Sequence, residues 1–231
     1  MADDTPHKVV HVTGFGPFPG VPVNPTTSLA ASLASHPDVA SSSVVRTAIG
    51  GASDAIAALA AAHALVPGSD AAGDSAGEAE AAGAIETGTE VARRTTLLLH
   101  LGVAASATGV RLEQRAYNEA SFRVPDQDGA QLSDEPIDEV MPTESWLETL
   151  LPLERIAALM SDAHPDVPIE VSTDAGRYLC NYLYYKSLRL AHGSSNLHSL
   201  FVHIPPLSVI AFEAQAEFLA ALVDALVDAM P

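Results

Sequence analysis

The stretch Thr95-Thr-Leu-Leu-Leu-His-Leu-Gly102 is the segment of the sequence that decides the fold. It is an almost uninterrupted apolar run, which is typical of a strand buried on both faces of a parallel sheet. Further strand patterns occur at Lys8–Thr13, Ser42–Ala48, Val110–Ala116, Ile169–Ser172 and Leu200–Ile204. Helical patterns lie between or after them, at about 25–36, 54–64, 153–163, 175–191 and 212–229. This alternation predicts an α/β fold, a three-layer α/β/α sandwich around a mostly parallel, mixed central sheet.

The composition predicts a single soluble domain. A chain of 231 residues suits one α/β domain, and we expect that domain to span residues 1–231. Because Cys180 is the only cysteine, an internal disulfide is excluded, and the usage fits a reducing compartment. The sequence has no apolar run of membrane-spanning length, and Met1-Ala-Asp-Asp-Thr5 lacks the profile of a secretory signal. We therefore expect a cytoplasmic protein without a membrane partner.

The charge excludes some partners. Against 11 Lys and Arg, the chain has 29 Asp and Glu, which gives a formal net charge of −18. A field of that sign repels phosphate, so we expect no nucleic-acid partner and no binding to an anionic membrane. No apolar stripe settles the oligomeric state, and both a monomer and a homo-oligomer are compatible with the sequence.

Two segments depart from the alternating pattern. Residues 68–90 are almost all Ala, Gly, Glu, Asp, Ser and Thr, so they have little apolar surface to bury, and we expect a low-complexity acidic surface insertion. Residues 118–146 are polar and contain several prolines, which is a long loop for a compact domain. Loops of that length are usually functional or disordered.

Two short motifs do not support the functions that they resemble. Gly73-Asp-Ser75-Ala-Gly77 matches a nucleophile elbow, but no strand precedes it in the low-complexity segment. Gly14-Phe-Gly16 follows a strand as in dinucleotide-binding loops, but Pro17 and Pro19 remove backbone donors that a pyrophosphate needs. The sequence also has no clustered Cys and His with metal-ligand spacing, and we expect no metal and no cofactor.

Cys180 is a candidate nucleophile. It lies in Asp174-Ala-Gly-Arg-Tyr-Leu-Cys180-Asn181, just after a predicted strand and near a predicted helix start. A cysteine in the first turn of a helix faces the positive end of the helix dipole, which favours the thiolate. If the helix begins at Asp174, Cys180 falls in the second turn and this effect weakens. The alternative is a buried cysteine that acts as a small hydrophobic residue.

A nucleophilic thiol needs a base and a group that orients the base. His100 and His203 both lie near the carboxyl end of an apolar strand, where ligands of α/β sheets gather, and the pattern does not separate them. Either residue is also compatible with a hydrogen-bonded core histidine. Glu113 is an acid inside a predicted strand, and it is either a buried orienting carboxylate or a solvent-facing side chain.

Six blocks of sequence together resemble pyroglutamyl peptidase I, the pyrrolidone-carboxylate peptidase family of cysteine peptidases. They occur in family order from about Val9 to Pro206. The blocks are Thr13-Gly-Phe-Gly-Pro-Phe18 with Val23-Asn-Pro25, Leu112-Glu-Gln-Arg-Ala-Tyr-Asn118, Arg123-Val-Pro-Asp-Gln-Asp-Gly129, Asp134-Glu-Pro136, Asp174-Ala-Gly-Arg-Tyr-Leu-Cys-Asn181 and Phe201-Val-His-Ile-Pro205.

The resemblance implies a cysteine exopeptidase that hydrolyses the bond after an N-terminal pyroglutamyl residue of peptides through a thioester acyl-enzyme. By position in the motifs, Cys180 matches the nucleophile, His203 the general base and Glu113 the acid that orients it, which separates His203 from His100. The remaining matches concern substrate binding: Phe15 and Phe18 match aromatic residues of the lactam pocket, Asn24 supports that turn, and Arg123 matches an arginine near the active site.

Three departures from the family pattern stand beside these matches. Gly102-Val-Ala-Ala-Ser106 replaces a turn rich in glycine and glutamine, Gln127 replaces a usual asparagine, and the acidic insertion has no counterpart in compact members. Two other functions are weighed against the peptidase. One is a binder of pyroglutamyl or otherwise blocked peptides that does not cleave them, and the other is a redox-sensing thiol that does not need His203.

Overall fold

The computed structural model describes residues 7–18, 21–64 and 94–231, and it has five helices and eight strands in those ranges. The strands are β1 (His7–Phe15), β2 (Val39–Val45), β3 (Arg94–Val103), β4 (Val110–Glu113), β5 (Arg115–Tyr117), β6 (Trp146–Glu148), β7 (Ile169–Ser172) and β8 (Leu197–Ile204). The helices are α1 (Pro25–Leu33), α2 (Ile49–Ala64), α3 (Leu153–Ala163), α4 (Leu179–Ala191) and α5 (Phe212–Ala229).

Six strands form the central sheet in the order β2-β1-β3-β8-β4-β7. All neighbours are parallel except β4 and β8, which are antiparallel. The two middle strands, β3 and β8, are almost wholly buried, as their apolar sequences predict. The sheet is therefore mixed and mostly parallel, and the prediction for the fold class is confirmed.

Helices cover both faces of the sheet. One layer contains α1, α3 and α5, whose apolar faces share a core with the strands that includes Leu29, Ile156 and Phe218. The other layer contains α2 and α4, which pack around Tyr184 and Phe201. The active-site candidates belong to this second side.

The start of α1 shows how local sequence fixes the packing. Asn24 is the N-cap and its side chain accepts a hydrogen bond from the backbone N–H of Thr26, while Pro25 occupies the first turn, where no N–H is needed. Gly14 permits β1 to touch this helix end, because a Cβ there would lie 2.2 Å from the carbonyl oxygen of Thr26. The strand and the helix are therefore joined by a close backbone contact.

Some element boundaries differ from the predictions. The pattern at 110–116 is divided between β4, in the central sheet, and β5, which pairs with β6 in a separate two-stranded sheet. The strand predicted at 42–48 lies at Val39–Val45. The helix predicted from Asp174 or Ala175 begins at Leu179, because residues 174–177 form a turn in which the Asp174 carboxylate accepts from the N–H of Gly176.

The proposed insertion at 68–90 and the Gly73–Gly77 motif lie outside the described residues. Among the described helices, none is both long and apolar enough to cross a membrane.

Candidate active site

Glu113 and His203 meet across the antiparallel pair of strands. Glu113 ends β4 and lies opposite Phe201 of β8, so its side chain is on the same face as His203, two residues further along β8. Nδ1 of His203 donates a 2.7 Å hydrogen bond to Oε1 of Glu113. Both side chains are buried, with Glu113 fully removed from solvent. The carboxylate therefore fixes the orientation of the imidazole and leaves Nε2 free for another partner.

Cys180 is the other partner of His203. The thiol lies within hydrogen-bonding reach of the imidazole. Burial alone lowers the pKa of His203, but the negative charge and hydrogen bond of Cys180, followed by those of Glu113, outweigh it and raise the pKa to about 9. At neutral pH the imidazole is therefore protonated beside the sulfur.

The start of α4 adds a second source of positive potential. Because this helix begins at Leu179, Cys180 lies in its first turn, not in the second. The backbone of the N-cap residue, Tyr178, is extended. Within the described residues, its side chain makes no hydrogen bond that caps the helix. The first backbone N–H groups of a helix lack partners within the helix. They are therefore available to an anion next to the sulfur.

Two residues that the sequence analysis did not identify hold the site in place. The Asn181 side chain is fully buried, accepts from the N–H of Tyr117 and donates to the carbonyl oxygens of Tyr117 and Glu119. The hydroxyl of Tyr184 donates to the backbone carbonyl of Glu113 at 2.8 Å. Together they fasten α4 to the segment around Glu113. A polar amide directly after the candidate nucleophile was the available signal for Asn181.

The floor of the site is tightly packed. The ring of Phe201 lies 4.8 Å from that of His203, and Gly102 is the register partner of His203 on β3. A Cβ at Gly102 would lie 2.6 Å from the Phe201 ring and 3.1 Å from Sγ of Cys180. Glycine is therefore the residue that lets β3 approach the sulfur this closely.

Three aromatic side chains form a group beside Cys180, which we call the aromatic cluster: Phe18, Phe122 and Tyr178. The ring of Tyr178 lies 4.8 Å from Phe122, edge to face, and 6.4 Å from Phe18. The pKa of Tyr178 is raised by burial first and then by the nearby charges of Asp126 and Cys180. The half-buried rings of Phe18 and Tyr178 thus line a partly apolar surface, and the buried ring of Phe122 packs behind Tyr178.

The other residues expected to bind substrate occupy different positions. Phe15 is nearly fully buried, with its ring 6.4 Å from Phe201, so it lies behind the site rather than on its surface. Asn24 is also buried, and it donates to the carbonyl oxygen of Gly16, which holds the loop that carries Phe18. Arg123 is exposed and follows Phe122 in the chain. Its role and that of Phe15 stay predictions.

His100, the competing histidine, is part of the core. It is fully buried, and its ring nitrogens are hydrogen-bonded to the hydroxyls of Thr13 and Ser187, each at 2.7 Å. Burial lowers the pKa of His100 to about 3. Since both nitrogens are occupied and the ring is neutral at physiological pH, the geometry favours His203 as the partner of the thiol.

Two other features of the surface lie away from the site. A groove of about 870 Å³ is lined by residues toward the other end of α4, such as Tyr185 and Arg189. His36, Asp38 and Asp224 are close enough to share a metal ion, but they lie on the opposite helical layer. Neither feature includes Cys180, Glu113 or His203.

The fold and the site together define an α/β/α protein in which a helix-terminal cysteine, a charged histidine and a buried glutamate are joined on one face of a mixed sheet. A family model described as pyroglutamyl peptidase matches residues 79–229, and the chain belongs to this family.

Individual relatives agree with this membership. The chain is 33% identical over 112 residues to the pyrrolidone-carboxylate peptidase of Pyrococcus furiosus and 33% identical over 115 residues to human pyroglutamyl-peptidase 1. These matches cover 47% and 48% of this chain and 51% and 50% of the relatives, so the chain spans about half the length of the curated relatives it matches. The match to the Deinococcus radiodurans pyrrolidone-carboxylate peptidase is 32% identical over 142 residues, 61% of this chain and 63% of the relative.

Solved structures show the same fold. A mutant pyrrolidone carboxyl peptidase from Pyrococcus furiosus superposes with a TM-score of 0.74 and 23% identity, over 97% of this chain and 100% of the other. The pyrrolidone carboxyl peptidase of Fervidobacterium islandicum gives a TM-score of 0.73 and 23% identity, over 95% of this chain and 98% of the other.

Proposed function

We propose that this protein is a cysteine exopeptidase that removes an N-terminal pyroglutamyl residue from peptides. The observation that carries the proposal is the linked arrangement of Cys180, His203 and Glu113, with the 2.7 Å hydrogen bond that orients the imidazole. Membership of the pyroglutamyl peptidase family supports the choice of substrate.

The first step is attack by sulfur. The Cys180 thiolate forms a bond to the carbonyl carbon that follows the lactam ring, and the C–N bond to the rest of the peptide breaks. The proton carried by Nε2 of His203 goes to the departing amine. Because the pKa of His203 is about 9, the imidazolium is abundant at neutral pH and supplies this proton. The product of the step is a thioester on Cys180.

The second step is hydrolysis. A water molecule gives a proton to His203 and bonds to the thioester carbon, and the C–S bond then breaks to release pyroglutamate and restore the thiolate–imidazolium pair. Glu113 accepts the hydrogen bond from Nδ1 of His203 and stabilises the imidazolium in both steps.

The negative charge that develops on the carbonyl oxygen also needs donors. Cys180 lies in the first turn of α4, where the backbone N–H groups have no acceptor within the helix. Loss of one such donor typically lowers turnover by about 10²–10³-fold. We assign the oxyanion site to these groups.

Recognition of the ring follows from its chemistry. A pyroglutamyl residue has no ammonium group, so its binding site needs an apolar surface with a few polar groups for the lactam N–H and C=O. The aromatic cluster provides that surface beside the sulfur. Free N-terminal amines gain nothing from it, which makes the blocked terminus the preferred substrate.

The test compares four peptides that differ only in the first residue: pyroglutamyl, glutaminyl, glutamyl and prolyl. Incubation with the reduced protein and analysis by mass spectrometry should show free pyroglutamate and a peptide shorter by one residue from the first substrate alone. Equal cleavage of the prolyl peptide would overturn the ring specificity. Tight binding of the pyroglutamyl peptide without cleavage would replace the peptidase with a non-catalytic binder.

A further inference from the structure

Four polar side chains are buried between α4 and the central sheet, and we call them the polar row: Thr13, His100, Ser187 and Ser199. The imidazole of His100 is hydrogen-bonded to the hydroxyl of Thr13 through Nδ1 and to that of Ser187 through Nε2, each at 2.7 Å. The hydroxyls of Ser187 and Ser199 are hydrogen-bonded to each other at 2.8 Å. None of the four residues is more than 1% exposed. The polar row therefore links β1, β3 and β8 to one position on α4.

Every side-chain nitrogen and oxygen of the polar row has a hydrogen-bond partner within it. Because burial lowers the pKa of His100 to about 3, its ring is neutral at physiological pH, and one ring nitrogen donates while the other accepts. A fully paired buried network is directional and holds its members in one arrangement, whereas apolar contacts have no direction and tolerate small shifts. The polar row can therefore fix the place of α4 on the sheet more sharply than its apolar packing does.

Ser187 lies on the same face of α4 as Cys180. Residues 180, 184 and 187 have the spacing i, i+4, i+7, which forms one stripe along a helix. All three side chains of the stripe contact the sheet side of the site. Cys180 lies within hydrogen-bonding reach of His203, the hydroxyl of Tyr184 donates to the backbone carbonyl of Glu113, and Ser187 belongs to the polar row. Seven residues of helix separate Ser187 from Cys180 by about 10 Å along the axis.

The same two strands carry the partners of both ends of this stripe. In the parallel pair of β3 and β8, His100 lies opposite Phe201, and Gly102, two residues later, lies opposite His203. Ser199 precedes His203 by four residues on β8, so the two side chains are on one face of the sheet. The polar row and the contact of the sulfur with His203 are therefore two connections between one helix and one pair of strands, and a shift of α4 along the sheet changes both.

We propose that Ser187 is a positioning residue for Cys180: its hydrogen bonds to His100 and Ser199 hold α4 at the place on the sheet where the sulfur meets the imidazole of His203. The effect on turnover rests on the proposed function, whereas the placement of the sulfur does not. Without the Ser187 hydroxyl, α4 keeps its apolar contacts but loses its directional connection to β3 and β8, and the sulfur moves away from the imidazole.

The polar row offers a matched pair of variants. Ser187→Ala removes the hydroxyl that α4 contributes, and Thr13→Val removes the hydroxyl on the other side of the same imidazole. Each variant loses a buried 2.7 Å hydrogen bond to His100, so both should lower the melting temperature. Only Ser187→Ala should affect Cys180, because Thr13 lies on β1 and does not connect α4 to the sheet. Ser199→Ala leaves Ser187 with one of its two partners and should have an intermediate effect.

The experiment follows the pKa of His203 by NMR titration of each variant, with the resonance assigned through His203→Ala. Burial lowers this pKa, and the charge of Cys180 is the first of the causes that raise it to about 9. The pKa of His203 therefore reports how close the sulfur lies to the imidazole, which a loss of stability alone does not change. His100 does not interfere, because its pKa of about 3 lies far below the titration of His203.

In Ser187→Ala the pKa of His203 should fall by about half a pH unit, the change expected when two opposite charges about 4 Å apart separate by about 1 Å. It should fall by less in Ser199→Ala and keep its wild-type value in Thr13→Val. With a pyroglutamyl substrate, kcat should fall by about tenfold to 10²-fold in Ser187→Ala, the range expected for a reacting group displaced by about 1 Å. In Thr13→Val, kcat should stay within about twofold of the wild type.

A wild-type pKa of His203 in folded Ser187→Ala would overturn the inference, and so would an equal fall of that pKa in Thr13→Val. If circular dichroism shows that Ser187→Ala does not fold, Ser199→Ala decides, and an unchanged pKa of His203 in that variant would overturn the inference. If the pKa falls in Ser187→Ala but not in Thr13→Val, and the wild type cleaves no pyroglutamyl peptide, the proposed function fails while the positioning role stands.

Discussion

The protonation of His203 is the property on which the proposed reaction depends most directly, and Glu113→Gln perturbs it with little change in side-chain shape. The rise of its pKa from 6.5 to about 9 corresponds to about 3 kcal/mol in favour of the imidazolium, at about 1.4 kcal/mol per pH unit. Because Cys180 contributes more to this rise than Glu113 does, the two residues should have effects of different size.

The prediction is an order of three pKa values. Titration of His203 by NMR, with the resonance assigned through His203→Ala, should give about 9 in the wild type, a lower pKa in Glu113→Gln and the lowest pKa in Cys180→Ala. Since the raised pKa keeps the proton on His203 up to about pH 9, wild-type kcat should fall above that pH. In Glu113→Gln this fall should begin at lower pH, with kcat reduced by about 10²–10⁴-fold and Cys180 still open to alkylation.

A pKa of His203 near 6.5 in the wild type would refute this reasoning, because the thiolate–imidazolium pair would then be absent. If the pKa of His203 fell further in Glu113→Gln than in Cys180→Ala, the carboxylate and not the sulfur would be the main cause of the raised pKa. Wild-type kcat and an unchanged pH profile in Glu113→Gln would remove Glu113 from the mechanism.

Three further predictions concern the scaffold of the site. His100 has a folded pKa of about 3, below its value of 6.5 when unfolded, so its contribution to stability is complete above pH 6.5 and is lost as the pH falls toward 3. Urea unfolding should show a loss of about 2 kcal/mol from this residue between pH 6.5 and about pH 4.5. A His100→Gln variant whose unfolding free energy keeps the wild-type dependence on pH would contradict this. Gly102→Ala should lower the free energy of unfolding by about 1–3 kcal/mol and slow the alkylation of Cys180, because the new Cβ meets Phe201 and the sulfur. A wild-type free energy of unfolding together with a wild-type alkylation rate would disprove the close approach. Asn181→Ala should cost about 2–4 kcal/mol, since it leaves the backbone groups of Tyr117 and Glu119 unpaired, and a loss below about 1 kcal/mol in urea unfolding would show that those groups find other partners.

The end residues of helices and strands with a clear hydrophobic pattern could be predicted from the sequence. The bounds of α3 (Leu153–Ala163), α5 (Phe212–Ala229) and β7 (Ile169–Ser172) agree with their patterns. In α5 the apolar residues repeat at helical spacing on one buried face, and no competing local structure is available to them.

The start of α4 was not predictable in the same way, because an aspartate side chain can cap a helix and can also close a turn. The sequence predicts a helix start at Asp174 or Ala175. In the structure the Asp174 carboxylate accepts from the N–H of Gly176 within a turn, and Gly176 has a φ of 80° that a helix does not contain. Both structures use the same hydrogen-bonding side chain, so composition alone does not choose between them. The error matters for function, since the true start places Cys180 in the first turn.

The site itself depends on contacts between distant parts of the chain. His100 and His203 have equivalent places on their strands, and what separates them is the presence of Thr13 and Ser187 around one and Glu113 around the other. Glu113 reaches His203 because β4 runs antiparallel to β8, and the strand pattern carries no information on that direction. The family motifs supplied the assignment that the periodicity lacked.

The measurement that tests the central claim most directly is release of aminocoumarin from its pyroglutamyl derivative by the reduced protein. The wild type should release the fluorophore, Cys180→Ala and His203→Ala should lose nearly all turnover, and His164→Ala, a histidine variant on the other helical layer, should keep it. Turnover at the wild-type rate in Cys180→Ala would contradict the account, because no other cysteine is present in the chain to replace the nucleophile.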